Sequence, residues 1–167
     1  FYFNIIEKKN CMCGIVAVTG YKKALPLLIN GLEKLEYRGY DSAGVAIINS
    51  DSNSITCNKA KGKLKNLKIN LNDKNIPGTV GIGHTRWATH GKPEVKNAHP
   101  HTDSSRTIAV VQNGIIENFQ DLKNQLESEG IVFNSDTDTE VIPHLIKREL
   151  NTLSKLNLEN NGSTLLV

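Results

Sequence analysis

Short apolar runs and amphipathic stretches alternate along the first third of the chain. Residues 13–18 form an apolar run rich in branched side chains that ends at Thr19 and Gly20, which predicts a buried strand. From Lys22 to Glu36, apolar positions recur at helical spacing and predict a helix with one buried stripe. A turn-prone stretch then leads to a second apolar run at Val45 to Ile48, which predicts another strand.

The middle of the chain has two predicted strands joined by a long connection. Lys59 to Asn75 is rich in Lys and Asn with a weak leucine face, which favours a solvated surface helix or loop. Val80 to Gly83 and Ile108 to Val111 are predicted strands. Thr85 to Arg106, between them, holds most of the histidines. A long connection with such particular side chains is more typical of a functional loop than of disorder.

The last third predicts two helices around a short strand. Phe119, Leu122 and Leu126 share one helical face, and this helix is expected to stop at Gly130. Ile131 to Phe133 is a predicted strand, and residues 137–140 offer a start for a helix that continues through Leu150. Taken alone, this alternation of strands and helices suggests an ordinary parallel α/β sheet.

Composition narrows the function classes. The 167 residues are 38% hydrophobic and 22% charged, which is typical of one globular domain. The net charge of +3 is carried by scattered Lys and Arg, so nucleic-acid binding is not expected. Three cysteines are an odd number and favour a reducing compartment. Phe1 to Ile6 lacks the pattern of a signal peptide and no run is long enough to cross a membrane, so we predict a cytoplasmic protein.

Cys13 is the candidate nucleophile because it directly follows Met12. If the mature chain begins at Cys13, one residue carries both a thiol and a free α-amine, and the amine can take the thiol proton near neutral pH. The same nitrogen within a peptide bond cannot act as a base, because its lone pair is delocalised. In mid-chain, Cys13 would be an ordinary small apolar residue.

Other residues offer what a thiol nucleophile needs. The side-chain amide of Asn113 and the N–H of Gly114 can supply two oxyanion donors, although Asn-Gly by itself is most often a turn. Arg86 can bind a carboxylate and Asp138 an ammonium group. Considered singly, each of these two is also compatible with a surface charge or a helix cap.

Six motifs, in order along the chain, resemble those of the type 2 glutamine amidotransferases, and most closely the glutaminase domains of glutamine–fructose-6-phosphate aminotransferases. These domains adopt the N-terminal nucleophile (Ntn) hydrolase fold. The resemblance therefore implies an α+β, four-layer αββα architecture with two stacked antiparallel sheets, in place of the parallel sheet. The motifs are CGIV from Cys13, YRGYDSAG from Tyr37, HTRWATHG from His84, NAHPH from Asn97, NGIIEN from Asn113 and SDTDTEV from Ser135.

The resemblance also implies a role for each matching residue. Cys13 would attack the side-chain amide of L-glutamine and release ammonia, with Asn113 and Gly114 as the oxyanion hole. Arg86 would bind the α-carboxylate and Asp138 the α-ammonium group. The remaining implied site residues are Trp87, Thr89 and His90 lining the pocket, Arg38 close to the N-terminus of the nucleophile, and His99 at a domain contact.

The resemblance further suggests how the chain is organised. Residues 1–12 are expected to be a leader, either upstream sequence or a propeptide, and residues 13–167 a partial, C-terminally truncated glutaminase domain. No cofactor or metal is expected. The sugar isomerase domains of the family would normally lie in the same polypeptide and form a homodimer. Two alternatives remain open: a domain of the amidophosphoribosyltransferase type, and a catalytically inactive fragment.

Two further features enter the prediction. Gln112 stands where the family usually has histidine before the Asn-Gly pair, which can change a contact near the oxyanion hole. A metal-binding module is a hypothesis from another class, but its possible ligands lack the paired spacing of structural zinc sites. Those possible ligands are Cys11, Cys13, His84, His90, His99 and His101.

Overall fold

The computed structural model describes residues 13–38, 41–52, 54–72, 74–87 and 92–160. The strands are β1 (Gly14–Val18), β2 (Ser42–Ile48), β3 (Ile55–Lys61), β4 (Gly81–Arg86), β5 (His101–Thr102) and β6 (Ala109–Val110). The helices are α1 (Ala24–Leu35), α2 (Leu64–Leu71), α3 (Phe119–Ser128) and α4 (Val141–Asn160), and 3₁₀ turns occur at Glu36–Arg38, Val95–Asn97 and Asp138–Glu140.

Among the described residues, four strands form an antiparallel sheet in the order β1-β4-β2-β3. The parallel sheet suggested by the alternation of elements is therefore wrong, and the antiparallel sheet implied by the resemblance is observed. The reason lies in the connection between β2 and β3, which is too short for a parallel crossover. Its turn is closed by the Asn49 side chain, which accepts hydrogen bonds from the N–H groups of Asp51 (2.8 Å) and Ser52 (3.3 Å).

The hydrophobic core lies between this sheet and the helices α1 and α2. The predicted stripe of α1 is confirmed, because Leu28 and Leu32 are fully buried. The expectation of a solvated segment at 59–75 is wrong: its first residues belong to β3, and the leucine face of α2 is buried in the same core. The lysines and asparagines of α2 lie on its outer side, so composition concealed a helix with one buried face.

The second half of the chain places a short antiparallel pair beside two helices. β5 and β6 pair through His101 with Val110 and Thr102 with Ala109. The Asp103 carboxylate organises their connection by accepting hydrogen bonds from the N–H groups of Thr107 (2.7 Å) and Ile108 (2.7 Å). The strands predicted near residues 80 and 108 are thus confirmed with shifted ends.

Helix α3 ends where the sequence predicts, but the strand predicted at Ile131 to Phe133 is absent from the described structure. Gly130 adopts a positive φ of 86°, and the N–H of Ile131 donates to the carbonyl of Leu126 (3.0 Å). The Ile131 N–H therefore closes the end of a helix instead of joining a sheet. Helix α4 begins after the predicted start and continues to Asn160, beyond the expected end at Leu150.

None of the helices in the described ranges has both the length and the apolar character needed to cross a membrane.

Gly44 in β2 marks a close approach between the main sheet and the segment that precedes β5. A Cβ atom at this position would collide with the carbonyl oxygen of His99. The backbone of a central strand cannot easily move away, so the position requires glycine.

We therefore expect Gly44→Ala to lower the free energy of unfolding by at least about 2 kcal/mol, the usual cost of overpacking. Urea unfolding followed by circular dichroism measures this. Ala17→Ser, at an exposed position of β1, is the control and should change stability little. Equal stability of Gly44→Ala and the wild type would contradict the close approach.

Candidate active site

One cavity brings together residues from five separate parts of the chain. It lies at the start of β1, beside the end of β4, and is closed by the loops around residues 112–114 and 137–139. Seven of the predicted site residues line it, and sequence reasoning assigned no catalytic or substrate-binding role to the other four. The lining residues are Cys13, His84, Arg86, Trp87, His99, Gln112, Asn113, Gly114, Thr137, Asp138 and Thr139.

Cys13 is positioned by the pairing of β1 with β4. Gly14 is paired with Thr85, so Cys13 lies opposite the end of β4. The N–H of Trp87 lies 3.2 Å from the Cys13 sulfur and donates to it, and the thiol lies 3.6 Å from the Trp87 carbonyl oxygen. Both contacts are to backbone atoms, so strand pairing fixes the position of the sulfur.

Asn113 lies against the same cysteine. Its Nδ2 donates to the Cys13 carbonyl oxygen (2.9 Å), and its Oδ1 is 2.8 Å from His84 Nε2. A side-chain amide NH₂ has two hydrogens. One is used by the Cys13 carbonyl, and the other is available to a group bound in the cavity.

Arg86 and Asp138 provide opposite charges at this cavity, and both are at least nine-tenths buried. Burial lowers the pKa of the Arg86 guanidinium, and attraction to Cys13, Asp41 and Asp138 opposes this shift. The arginine remains cationic because its ordinary pKa is so high. The Asp138 carboxylate accepts a hydrogen bond from the N–H of Ile116 (2.7 Å). The cavity can therefore bind a molecule that carries both a carboxylate and an ammonium group.

The segment that leads to Asp138 is held by Glu140. The Glu140 carboxylate accepts hydrogen bonds from the N–H groups of Asn134 (2.9 Å) and Ser135 (2.7 Å). Burial raises the pKa of Glu140, but the His144 ring, whose Nε2 lies 3.8 Å away, and the hydrogen bonds from Ser135 and Asn134 outweigh this effect and lower the pKa to about 2. The carboxylate is thus ionised at neutral pH and fixes the loop that carries Asp138.

Gln112, the departure from the usual family histidine, links the two loops of the cavity. Its Oε1 accepts a hydrogen bond from the Thr139 hydroxyl (3.0 Å), and its backbone N–H lies 3.4 Å from His99 Nδ1. A glutamine here keeps a polar contact between the Asn113 loop and the Asp138 loop.

Three buried histidines lie side by side, and two of them, His84 and His99, line the cavity. The ring of His99 stacks on His84, with centroids 4.5 Å apart, and contacts the edge of His101 at 4.7 Å. Burial lowers the pKa of His84 to about 4, against the hydrogen bond with Asn113. Burial and nearby Lys59 lower the pKa of His101 to about 3, and burial with the two neighbouring histidines lowers the pKa of His99 further. All three imidazoles are neutral at pH 7.

Some predicted residues are not placed by the structure. Thr89 and His90 lie outside the described residues, and so does the side chain of Arg38, although its backbone belongs to a 3₁₀ turn. Within the described ranges, no group of three or more His, Cys, Asp or Glu side chains could hold a metal ion.

Comparison with known proteins identifies the family. The sequence profile of the glutamine amidotransferase domain matches residues 71–157. The chain belongs to this glutamine amidotransferase family. It is 59% identical over 135 residues to the glutamine–fructose-6-phosphate aminotransferase [isomerizing] of Thermosynechococcus vestitus, and 60% identical over 136 residues to that of Gloeobacter violaceus. Each alignment covers 81% of this chain, but the chain spans only 21% and 22% of the lengths of these two relatives.

Two solved structures share the fold. The glutamine phosphoribosylpyrophosphate amidotransferase of Bacillus subtilis superposes with a TM-score of 0.64 at 30% identity, over 80% of this chain and 29% of that chain. A structure described as the allosteric regulatory enzyme of purine biosynthesis gives a TM-score of 0.68 at 32% identity over the same shares. The α+β N-terminal nucleophile hydrolase fold implied by the motifs is confirmed.

The three neutral histidines make this amidotransferase domain sensitive to acid. The unfolded chain protonates its histidines below pH 6.5, whereas these three stay neutral in the folded state, so the unfolded state binds more protons. Stability therefore falls as the pH drops below 6.5. At pH 5 each such histidine lowers the free energy of unfolding by about 2 kcal/mol relative to pH 7.

We expect His101→Gln to reduce the loss of stability between pH 7 and pH 5 by about 2 kcal/mol, measured by urea unfolding. Thr137→Val is the matched control: it removes the 2.9 Å contact between the Thr137 hydroxyl and His101 Nε2 but keeps the histidine. The control should be less stable at both pH values with an unchanged difference between them. An unchanged pH difference in His101→Gln would contradict the assignment.

Proposed function

We propose that this chain hydrolyses L-glutamine to glutamate and ammonia with Cys13 as the nucleophile. The proposal rests on one observation. A thiol, an amide donor and two opposite charges lie in the same cavity. The thiol contacts Trp87, the Asn113 amide contacts the residue that carries the thiol, and Arg86 and Asp138 line the same space. These groups match the side-chain amide, the developing oxyanion, the α-carboxylate and the α-ammonium group of glutamine.

The mechanism begins with proton transfer within Cys13. In a chain that starts at this residue, the free α-amine takes the proton of its own thiol, and the sulfur attacks the amide carbon of glutamine. The oxyanion accepts hydrogen bonds from the second Asn113 hydrogen and from the Gly114 N–H. The ammonium form of the chain end returns the proton to the leaving nitrogen, ammonia departs, and a glutamyl thioester remains for water to hydrolyse.

Arg86 and Asp138 determine which amide is accepted. The guanidinium of Arg86 binds the α-carboxylate in a bidentate manner, and the Asp138 carboxylate binds the α-ammonium group. The family resemblance also assigns Trp87, Thr89 and His90 to the pocket, Arg38 to the N-terminus of the nucleophile and His99 to a domain contact, and we propose the same roles here.

The ammonia would be used to make glucosamine 6-phosphate from fructose 6-phosphate. The high identity to glutamine–fructose-6-phosphate aminotransferases supports this assignment over the amidophosphoribosyltransferase type, whose solved relative is 30% identical. The relatives are much longer than this chain. We therefore propose that sugar isomerase domains in the same polypeptide form a homodimer and carry out the transfer, in the cytoplasm and without a cofactor.

The proposed mechanism requires a free α-amine at Cys13. We expect a chain that begins at Cys13 to release glutamate from glutamine, and the full chain that retains residues 1–12 to be at least about 100-fold slower, because it lacks the base. Intact mass establishes the start of each preparation, and coupled glutamate detection measures turnover. Cys13→Ala should be inactive.

Cys57→Ser serves as the matched control, because Cys57 does not line the cavity. It should keep turnover within about threefold of the parent chain, as expected for a change away from the site. Equal activity with and without residues 1–12 would contradict the role of the amine, and activity in Cys13→Ala would contradict the nucleophile.

A second prediction concerns substrate recognition. Arg86→Gln should raise the KM for glutamine by about 30- to 100-fold, since a charged hydrogen bond contributes about 2–3 kcal/mol. It should hardly affect 4-aminobutanamide, which lacks the α-carboxylate. Asp138→Asn should similarly lose the preference for glutamine over glutaramate, which lacks the α-ammonium group.

Lys68→Gln is the matched control, because it removes a surface cation paired with Glu33 far from the cavity. It should leave both preferences unchanged. If Arg86→Gln raised the KM for glutamine and for 4-aminobutanamide equally, Arg86 would not be the partner of the α-carboxylate.

A further inference from the structure

We propose that His84 is a positioning residue that orients the Asn113 side chain, so that its NH₂ group faces the nucleophile and the oxyanion. The inference rests on the proposed function, because an oxyanion forms only if the cavity cleaves an amide. His84 belongs to the HTRWATHG motif, but neither motif nor spacing assigned it a role.

The orientation of the Asn113 amide follows from its two neighbours. The Cys13 carbonyl oxygen can only accept a hydrogen bond, so it must face the Nδ2 of Asn113, at 2.9 Å. The amide oxygen is then directed at His84 Nε2, at 2.8 Å. An amide oxygen can only accept, so His84 must carry its hydrogen on Nε2.

The surroundings of His84 favour this tautomer. The residue is fully buried, and its Nδ1 has no hydrogen-bond partner among the described residues. A hydrogen on Nδ1 would be buried without an acceptor while the Asn113 oxygen lost its donor. Burial also keeps the ring neutral, and the nearby guanidinium of Arg86 acts in the same direction. The neutral tautomer with its hydrogen on Nε2 is therefore the form that satisfies the contact with Asn113.

The ring is held on rigid elements. His84 lies in β4, the strand between β1 and β2, and is paired with Ile15 on one side and Gly44 on the other. The ring of His99 stacks on it with an interplanar angle of 19°. A donor fixed in this way can keep the Asn113 amide from rotating.

Loss of His84 would free the amide to turn by 180° and present its oxygen to the oxyanion. The effect would fall on kcat rather than KM, because the oxyanion exists only in the transition state. Removing an oxyanion donor outright typically costs about 10²- to 10³-fold in kcat. A donor that is present but often turned away should cost less, about 10- to 50-fold.

The first test uses the native full chain and needs no activity. Nitrogen-15 NMR of His84 reports which ring nitrogen carries the hydrogen. We expect the Nε2–H form from pH 6 to pH 8. An Nδ1–H form, or a doubly protonated ring at pH 7, would overturn the proposal.

The second test is a double-mutant cycle in the form that hydrolyses glutamine. His84→Leu should lower kcat by about 10- to 50-fold, with KM within about threefold and the rate of Cys13 alkylation by iodoacetamide unchanged. In the Asn113→Ala background, the same change should cost less than about twofold, because there is no amide left to orient. His84→Gln, which offers a side-chain donor, should recover part of the lost kcat.

An equal loss of kcat in both backgrounds would indicate a merely structural role and overturn the proposal. If the wild-type chain with a free Cys13 amine failed to hydrolyse glutamine, the proposed function would fail instead. The tautomer of His84 would then still decide whether it orients Asn113.

Discussion

The antiparallel pairing of β1 with β4 is the constraint on which the candidate site depends. It places Cys13 at the end of β4, where the Trp87 backbone holds the sulfur. Successive side chains of a strand alternate between its two faces, so His84 and Arg86 share one face of β4. The proposed nucleophile Cys13, the proposed carboxylate-binding Arg86 and the proposed positioning residue His84 are thus fixed by two strands. Among the described residues, His99 and two loops complete the cavity.

Those loops are held by buried polar contacts. Gln112 joins the two loops through Thr139, and Glu140 anchors the segment before Asp138. Buried polar groups must be paired to avoid a large loss of stability, so this network specifies a single arrangement when it is complete. The three buried histidines pack beside this network as neutral rings. Because they carry no charge, the Arg86 guanidinium and the Asp138 carboxylate can lie nearby. The same neutrality makes the site vulnerable to acid.

Sequence reasoning predicted the outline of the site but not its connections. Cys13, Asn113 and Asp138 belong to separate motifs, and the family resemblance was needed to bring them together. Hydrophobic periodicity located α1 and α3 because each has a strong apolar face. It missed β3, whose run ITCNKAK is polar at most positions. It could not find the role proposed for His84, because that role depends on which ring nitrogen carries a hydrogen and on a neighbour 29 residues away.

The proposed function requires Cys13 to form a covalent bond with glutamine in this cavity. The most direct measurement is an acid quench of the chain with a free Cys13 amine during turnover of isotopically labelled glutamine, followed by peptide mass mapping. We expect a labelled glutamyl group on the peptide that begins with Cys13, removable by hydroxylamine, and none on Cys57. Turnover without any adduct on Cys13, or with the label on Cys57, would contradict it.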